Sequence, residues 1–313
     1  MTNRNMIFLS LTTRCNIRCE KCWRFDVFGA GKDAQPEALN RFKELFSNYK
    51  GKVIIGSGEN LISKGLNDYI EWSVKNNIQT TILTNGLKFD KFIDKPNFFS
   101  ENITWGLTMD GFYNNELDTL QIGMDIEKVK NNIIQIKDKY PKASLYLNIT
   151  HTKNNLNSTY KLIEFANQLN IKQIYITQLK LFEGLDDSVT KHQVNDFKSK
   201  EFLEIMDNAE KLAKEYKINF YAPLESKSRN CFDNTKSLSP IIHGNGNIMF
   251  CYGRDGSTLG NIQNKKDESV WKDHFDKLTN SQEERDKWCK ECNVSETSER
   301  GYYYIPGQKG KNG

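Results

Sequence analysis

Residues 6–22 read Met6-Ile7-Phe8-Leu9-Ser10-Leu11-Thr12-Thr13-Arg14-Cys15-Asn16-Ile17-Arg18-Cys19-Glu20-Lys21-Cys22. The apolar run Ile7–Leu11 breaks directly into a loop with cysteines spaced Cys15-x3-Cys19-x2-Cys22. The run is too short for a helix and reads as a buried strand. Loops that follow strands in βα units are where binding and catalytic groups collect. Three thiolates this close together can converge on one metal centre. A structural zinc site takes four ligands, and a cubane iron–sulfur cluster has four corners. Three cysteines therefore leave one position open. Zinc completed by a distant histidine, or thiols with no shared role, is the alternative.

Working outward, short β-rich runs alternate with segments of helical period. The strands are Ile7–Leu11, Lys52–Gly56, Gln79–Thr84, Asn102–Met109, Ser144–Thr150 and Gln173–Gln178. The helical segments are Pro36–Asn48, Gly65–Asn76, a weak Lys88–Asp94, Ile126–Tyr140, Ser158–Leu169 and Lys200–Tyr216. Such alternation predicts an α/β fold with a parallel sheet. Six units are too few for a closed eight-stranded barrel, so an open sheet or partial barrel is expected. In the fourth strand Trp105, Leu107 and Met109 share one face, and Thr104, Gly106, Thr108 and Asp110 the other. In the fifth, Leu145, Leu147 and Ile149 oppose Tyr146, Asn148 and Thr150. Parallel strands covered on both sides normally read as continuous apolar runs. A repeatedly polar or small face therefore predicts an inner surface that lines a cavity.

After Tyr221 the composition shifts to Gly, Asn, Ser and Pro. Ile241–Ile242, the turn Gly244-Asn245-Gly246-Asn247 and Ile248–Tyr252 predict a β-hairpin. Two short helical stretches follow, near Asp267–Leu278 and Gln282–Trp288. This segment also carries Cys231, Cys251, Cys289 and Cys292, four sulfur donors that suit zinc or an iron–sulfur cluster. The chain has 313 residues and seven cysteines, an odd number that excludes a fully paired disulfide framework. A formal net charge of +4 is too small to mark a nucleic-acid binder. Mean hydropathy is −0.67, and no apolar run reaches the ~20 residues of a membrane span. A cytoplasmic enzyme without membrane or nucleic-acid partners is the expectation.

The Cys15–Cys22 segment, placed after the first strand, resembles the signature of radical S-adenosylmethionine (radical SAM) enzymes. Their fold is a partial (β/α)6 TIM-like barrel. Gly56-Ser57-Gly58-Glu59 resembles the family's Gly-Gly-Glu motif, which holds the methionine amino group. Thr84-Asn85-Gly86 ends the third strand, where a similar Thr-Asn-Gly is common. Thr108-Met109-Asp110-Gly111 resembles a Ser-Leu-Asp-Gly segment whose hydroxyl and carboxylate lie near the bound nucleoside. Asn148 sits on the inward face of the fifth strand. Two positions depart from the pattern. Lys21 stands where an aromatic residue often precedes the third cysteine, with Trp23 just after it. Glu59-Asn60-Leu61 replaces Glu-Pro-Leu.

The resemblance implies a 4Fe–4S cluster on Cys15, Cys19 and Cys22 whose open iron chelates S-adenosylmethionine. An external flavodoxin- or ferredoxin-like reductant supplies one electron. Cleavage then yields a 5′-deoxyadenosyl radical that abstracts hydrogen from the substrate. The tail, through Gly246-x4-Cys251, Leu259-Gly260-Asn261-Ile262 and Val270-Trp271, resembles the SPASM auxiliary-cluster domain in its shortened Twitch form. Cys231, Cys251, Cys289 and Cys292 would then hold an auxiliary 4Fe–4S cluster with a complete ligand set. The expected domains are residues 1–221 and 222–313. Epimerases of this superfamily use an extra cysteine as hydrogen donor, and none is left over here. An oxidative outcome follows, with sugar- or aminocyclitol-type dehydrogenation favoured. Oxidative cross-linking of a peptide meets the same electron count. Only about five residues precede the first strand, where many peptide maturases carry a recognition domain, which tips the expectation towards a small molecule. A non-catalytic zinc-bound scaffold is the reading from another class. His151 is expected to pack rather than catalyse. Lys180, Glu183, Arg254, Asp255 and Tyr302–Tyr304 are candidates for the site's rim, and no general base is assigned.

Overall fold

A computed structural model of the chain describes residues 6–19, 22, 31–117, 121–152, 154–178, 200–221, 240–249 and 258–264, with a few isolated positions beyond. The elements in order are β1 (Met6–Thr12), β2 (Arg18–Cys19), α1 (Pro36–Phe46), β3 (Lys52–Ser57), α2 (Leu66–Lys75), β4 (Gln79–Thr84), β5 (Ile103–Thr108), α3 (Asn114–Leu117), β6 (Gln121–Ile122), α4 (Ile126–Lys139), β7 (Ser144–His151), α5 (Ser158–Gln168), β8 (Gln173–Gln178), α6 (Lys200–Glu215), β9 (Asn219–Tyr221), β10 (Ile241–Ile242), β11 (Asn247–Met249) and β12 (Thr258–Asn261). One sheet runs in the order β12-β11-β10-β1-β3-β4-β5-β7-β8-β9. From β10 across to β9 neighbouring strands pair in parallel, while β11 and β12 add antiparallel. This is the α/β partial barrel anticipated from the alternation, with the six expected strands at its centre. The hairpin built around Gly246 is not a separate layer: β10 lies directly against β1, pairing Phe8 with Ile241.

Period and caps explain the helices. In α4, Ile126, Val129, Ile133 and Ile136 form one buried stripe, and Asp125 caps the first turn by accepting from the Lys128 N–H. In α1, Pro36 opens the helix, and Ala38, Leu39, Phe42 and Phe46 face the sheet. The weak helical expectation at Lys88–Asp94 is corrected. That stretch makes a short 3-10 turn at Phe89–Lys91, and a second follows at Pro96–Phe99. The chain leaves helical geometry at Phe92 (φ −127°), whose N–H closes a three-residue turn on the Phe89 carbonyl, and Pro96 then holds Lys95 extended. The two turns deliver Phe89 and Phe98 to Trp105, whose indole N–H donates to the Phe98 carbonyl at 2.7 Å.

The outer face of the sheet is the core. Trp105, Leu107, Met109, Leu147 and Ile149 are fully buried there. On the inner face, Thr104, Thr108, Asn148 and Thr150 are only half-buried. Pairing sets Thr108 beside Asn148, Asn148 beside Tyr175, and Tyr175 beside Tyr221. Tyr146, Tyr175 and Tyr221 form a run of ring contacts along that face, the last two stacked at 4.7 Å. Gly106 makes room for them, since a Cβ there would lie 2.4 Å from the Tyr146 ring. The two rows match the facing expected from the sequence.

Candidate metal and cofactor site

The loop after β1 is held from three sides. Towards β3, the Gly58 N–H donates to the Thr12 carbonyl at 2.9 Å, and the Glu59 N–H to the Arg14 carbonyl at 2.8 Å. On the second side, a strap at residues 31–34 pairs with the end of β1: Thr13 donates to the Lys32 carbonyl and Ala34 to that of Leu11, both at 2.8 Å. Arg14 reaches over this strap, pairing with Asp33 at 2.8 Å and donating to the Ile62 carbonyl at 2.7 Å. On the third side, β2 pairs antiparallel with β6, setting Cys19 opposite Gln121 and Arg18 opposite Ile122. Cys15, Cys19 and Cys22 are half-buried and outside any disulfide, and the Cys22 N–H turns back onto the Cys19 carbonyl at 3.0 Å.

The end of β3 is the tightest point. The pairing register of β1 with β3 shifts between Ser10 and Thr12, so the ladder is irregular where the two strands enter their loops; such bulges re-aim chains next to functional sites. Ser57 sits at φ +93°, a left-handed conformation that costs a non-glycine residue about 1–3 kcal/mol. A Cβ on Gly58 would lie 2.2 Å from the Arg14 carbonyl oxygen and 2.8 Å from that of Thr12. Only glycine lets the backbone come this close.

Glu59 is 2% exposed, and both carboxylate oxygens are engaged. Oε1 accepts from the Leu61 N–H at 2.8 Å and the Thr84 hydroxyl at 2.6 Å, and Oε2 accepts from the Asn85 N–H at 2.7 Å. Burial pushes this carboxyl above the usual carboxylate range despite those three donors. Asn85 then donates through Nδ2 to the Asn16 side-chain oxygen at 2.9 Å. The ends of β3 and β4 are thus tied to the cysteine loop through Glu59, Thr84 and Asn85.

Asp110, at the end of β5, is fully buried. Its Oδ1 accepts from the Thr150 N–H at 2.6 Å and its Oδ2 from Gln121 Nε2 at 2.7 Å. Thr108 and Asn148 remain half-buried on the inner face. His151 points the other way, into the helices: it shares a hydrogen bond with Thr159 at 2.9 Å and meets Phe202 edge-on, as a packing residue would.

Gly56, Ser57, Gly58, Glu59, Thr84 and Asn85 therefore gather around the cysteine loop, with Asp110 joined to it through Gln121. Among the described residues no three Cys, His, Asp or Glu side chains stand close enough to hold a metal ion, so the three thiols share a loop without forming a closed trio. The donor set still suits a cluster with an open corner: three soft ligands, and buried acceptors nearby that lack donors, namely Asn60 Oδ1 and Gln121 Oε1. A ligand carrying ammonium and hydroxyl groups fits such acceptors. Cys231, Cys251, Cys289 and Cys292 lie outside the described residues, as do Lys180, Glu183, Arg254, Asp255 and Tyr302–Tyr304. The two late helical stretches fall mostly outside them. The Arg14–Asp33 clamp and the β2–β6 ribbon carried no sequence signal, because a two-residue strand is shorter than any readable period.

Solved structures share this fold, and one family model matches the chain. No curated protein matches the chain. Among solved structures, SuiB of Streptococcus suis bound to S-adenosylmethionine is similar at a TM-score of 0.67 and 14% identity, covering 96% of this chain and 73% of that one. SuiB bound to its precursor peptide SuiA matches at 0.66 and 16%, covering 96% and 72%. The enzyme anSMEcpe, with AdoMet and the Cp18Cys peptide, matches at 0.65 and 20%, covering 92% and 87%. At these identities the likeness is one of fold. The model of the Radical SAM superfamily matches residues 9–166, half of the chain, from β1 through α5. A strand-end cysteine loop, the partial barrel around it and this match agree: the chain belongs to the radical SAM superfamily.

Proposed function

We propose that this protein binds a 4Fe–4S cluster through Cys15, Cys19 and Cys22 and uses it to cleave S-adenosylmethionine, beginning an oxidative modification of its substrate. The observation that carries the reading is the convergence of the ends of β1, β3, β4 and β5 on the cysteine loop through Glu59, Asn85 and Gln121. When bound, the cluster supplies the electron and the open iron at which the cofactor is cleaved. The chain's own residues hold and shield. Glu59 spans β3 and β4 and fixes the strand ends; Gly56, Ser57 and Gly58 bring backbone beside the loop. Thr84, Asn85, Thr108, Asp110 and Asn148 line or brace the place where the cofactor's methionine and nucleoside would lie. The Tyr146, Tyr175 and Tyr221 rings close part of the inner face against water.

For the tail, residues 222–313, we propose an auxiliary cluster on Cys231, Cys251, Cys289 and Cys292 that accepts the second electron. With those four and the first three assigned, no cysteine of this sequence is left to return hydrogen. Dehydrogenation of a sugar- or aminocyclitol-like alcohol fits that balance: two electrons and two protons leave the substrate in all, and a cluster held by Cys231, Cys251, Cys289 and Cys292 would supply the acceptor for the one electron that hydrogen abstraction does not remove. Peptide cross-linking is the second reading, supported by SuiB and anSMEcpe each having been seen with a peptide bound. Anaerobic reconstitution tests the scheme. About eight irons per chain are expected if both clusters are of the four-iron type, falling by half in Cys15→Ala/Cys19→Ala/Cys22→Ala with loss of S-adenosylmethionine cleavage. Stoichiometric zinc at the second site removes the electron-accepting role. Reaction in deuterated water should leave no solvent deuterium at the attacked carbon.

A further inference from the structure

The Ser-Leu-Asp-Gly resemblance assigns the Asp110 carboxylate to the bound nucleoside. The structure leaves that carboxylate no free face on which to act. It is fully buried, with Oδ1 taken by the Thr150 N–H and Oδ2 by Gln121 Nε2. The unmet acceptor lies one amide further out. Gln121 is 2% exposed, and among the described residues its Oε1 meets no donor. The amide orientation is set by chemistry: only the NH2 end can donate to a carboxylate, so Oε1 is the atom turned away from Asp110. A buried acceptor without a donor costs about 1–3 kcal/mol, and such atoms call for a missing partner.

Location says which partner. Cys19 and Gln121 oppose each other on the antiparallel β2–β6 rung, and opposed side chains share a face. Arg18 and Ile122 form the other rung and are exposed, so Cys19 and Gln121 occupy the inward one. The Gln121 side chain thus lies between a cysteine of the loop and the end of β5. A neutral carbonyl there suits a neutral hydroxyl donor better than it suits an ammonium, which a carboxylate would serve.

We propose that Gln121, not Asp110, receives a ribose hydroxyl of S-adenosylmethionine, and that Asp110 is the positioning residue that aims its amide. This rests on the cofactor reading above. The experiment is equilibrium binding to the anaerobically reconstituted full chain, using S-adenosylmethionine, its 2′-deoxy and 3′-deoxy analogues, and an analogue lacking the adenine exocyclic amine. One neutral hydrogen bond corresponds to roughly a 5- to 10-fold change in affinity. Wild type should lose that factor with one deoxy analogue. Gln121→Met should lose it with the natural cofactor and nothing more with that analogue, at unchanged iron content. Equal binding of both deoxy analogues to wild type overturns the proposal, whether or not the variant loads iron. Loss confined to the desamino analogue overturns it in favour of an adenine contact. Undiminished discrimination in Gln121→Met overturns it as well. Failure of S-adenosylmethionine itself to bind the loaded wild type overturns both this proposal and the cofactor reading, which separates the two.

Discussion

The replacement Gly58→Ala puts a single methyl group where the geometry allows none. Its Cβ would sit 2.2 Å from the Arg14 carbonyl oxygen, 2.8 Å from that of Thr12 and 2.9 Å from the Thr13 carbonyl carbon. All three are backbone atoms, so no flexible side chain can swing aside. Ordinary contact needs about 3.2 Å or more, so the end of β3 and the Arg14 turn must separate by roughly 1 Å. That movement stretches the two hydrogen bonds that join them, Gly58 to Thr12 at 2.9 Å and Glu59 to Arg14 at 2.8 Å, beyond useful length. Losing both and leaving their groups half-buried costs about 2–5 kcal/mol. That is a large share of a total stability of about 5–15 kcal/mol. Thermal unfolding of the iron-free protein should fall by roughly 5 °C or more. Cys15 follows Arg14 directly, and metal sites tolerate only about 0.2 Å of error in ligand distance, so iron uptake on reconstitution should also drop. A Gly58→Ala protein with wild-type melting temperature and full iron content would refute the claim that this contact seats the cysteine loop.

Other outcomes can be checked on the same preparations. Ser57→Gly relieves the positive φ and should raise stability by about 1 kcal/mol; a loss in denaturant unfolding would mean the hydroxyl is needed for the fold. Burial holds Glu59 protonated in the folded chain at a pH where the unfolded chain has released the proton. Its contribution to stability therefore falls as pH rises from the ordinary 4.5 through the raised folded value, then levels off. Glu59→Gln should remove that slope in urea titrations across pH, and an unchanged slope would assign it elsewhere. His151→Leu breaks the bond to Thr159 and should cost about 1–2 kcal/mol while leaving S-adenosylmethionine cleavage intact. Loss of cleavage in a fully folded variant would contradict the packing role.

The strands were readable because buried β-runs have a two-residue alternation that survives in a single sequence. Trp105, Leu107 and Met109 against Thr104 and Thr108 is one such record, and the burial of these residues follows it. Lys88–Asp94 has apolar residues spaced as in a helix, but the same spacing fills a 3-10 turn that ends at Phe92, and a span of seven residues is too short for period alone to tell the two apart. Asp110 carries the resemblance, but the sequence did not show that its carboxylate is fully buried. Whether a carboxylate faces a ligand or a neighbouring backbone N–H depends on the partner opposite it, here Thr150 from β7 and Gln121 from β6, and neither is near it in the chain.

The sequence by itself determined the cysteine loop, its place after the first strand, and the βα alternation that builds a parallel sheet. These are local facts: spacing, period and turn residues are written within a few positions of one another. Only the tertiary structure decided that Glu59 bridges β3 and β4, that Asn85 reaches Asn16, that Arg14 clamps the strap at Asp33, and that Gln121 stands across from Cys19. It also decided that the hairpin near Gly246 continues the barrel sheet beside β1. Each of these joins residues far apart in the chain, and hydrogen bonds across such separations are fixed by packing, which no local pattern records.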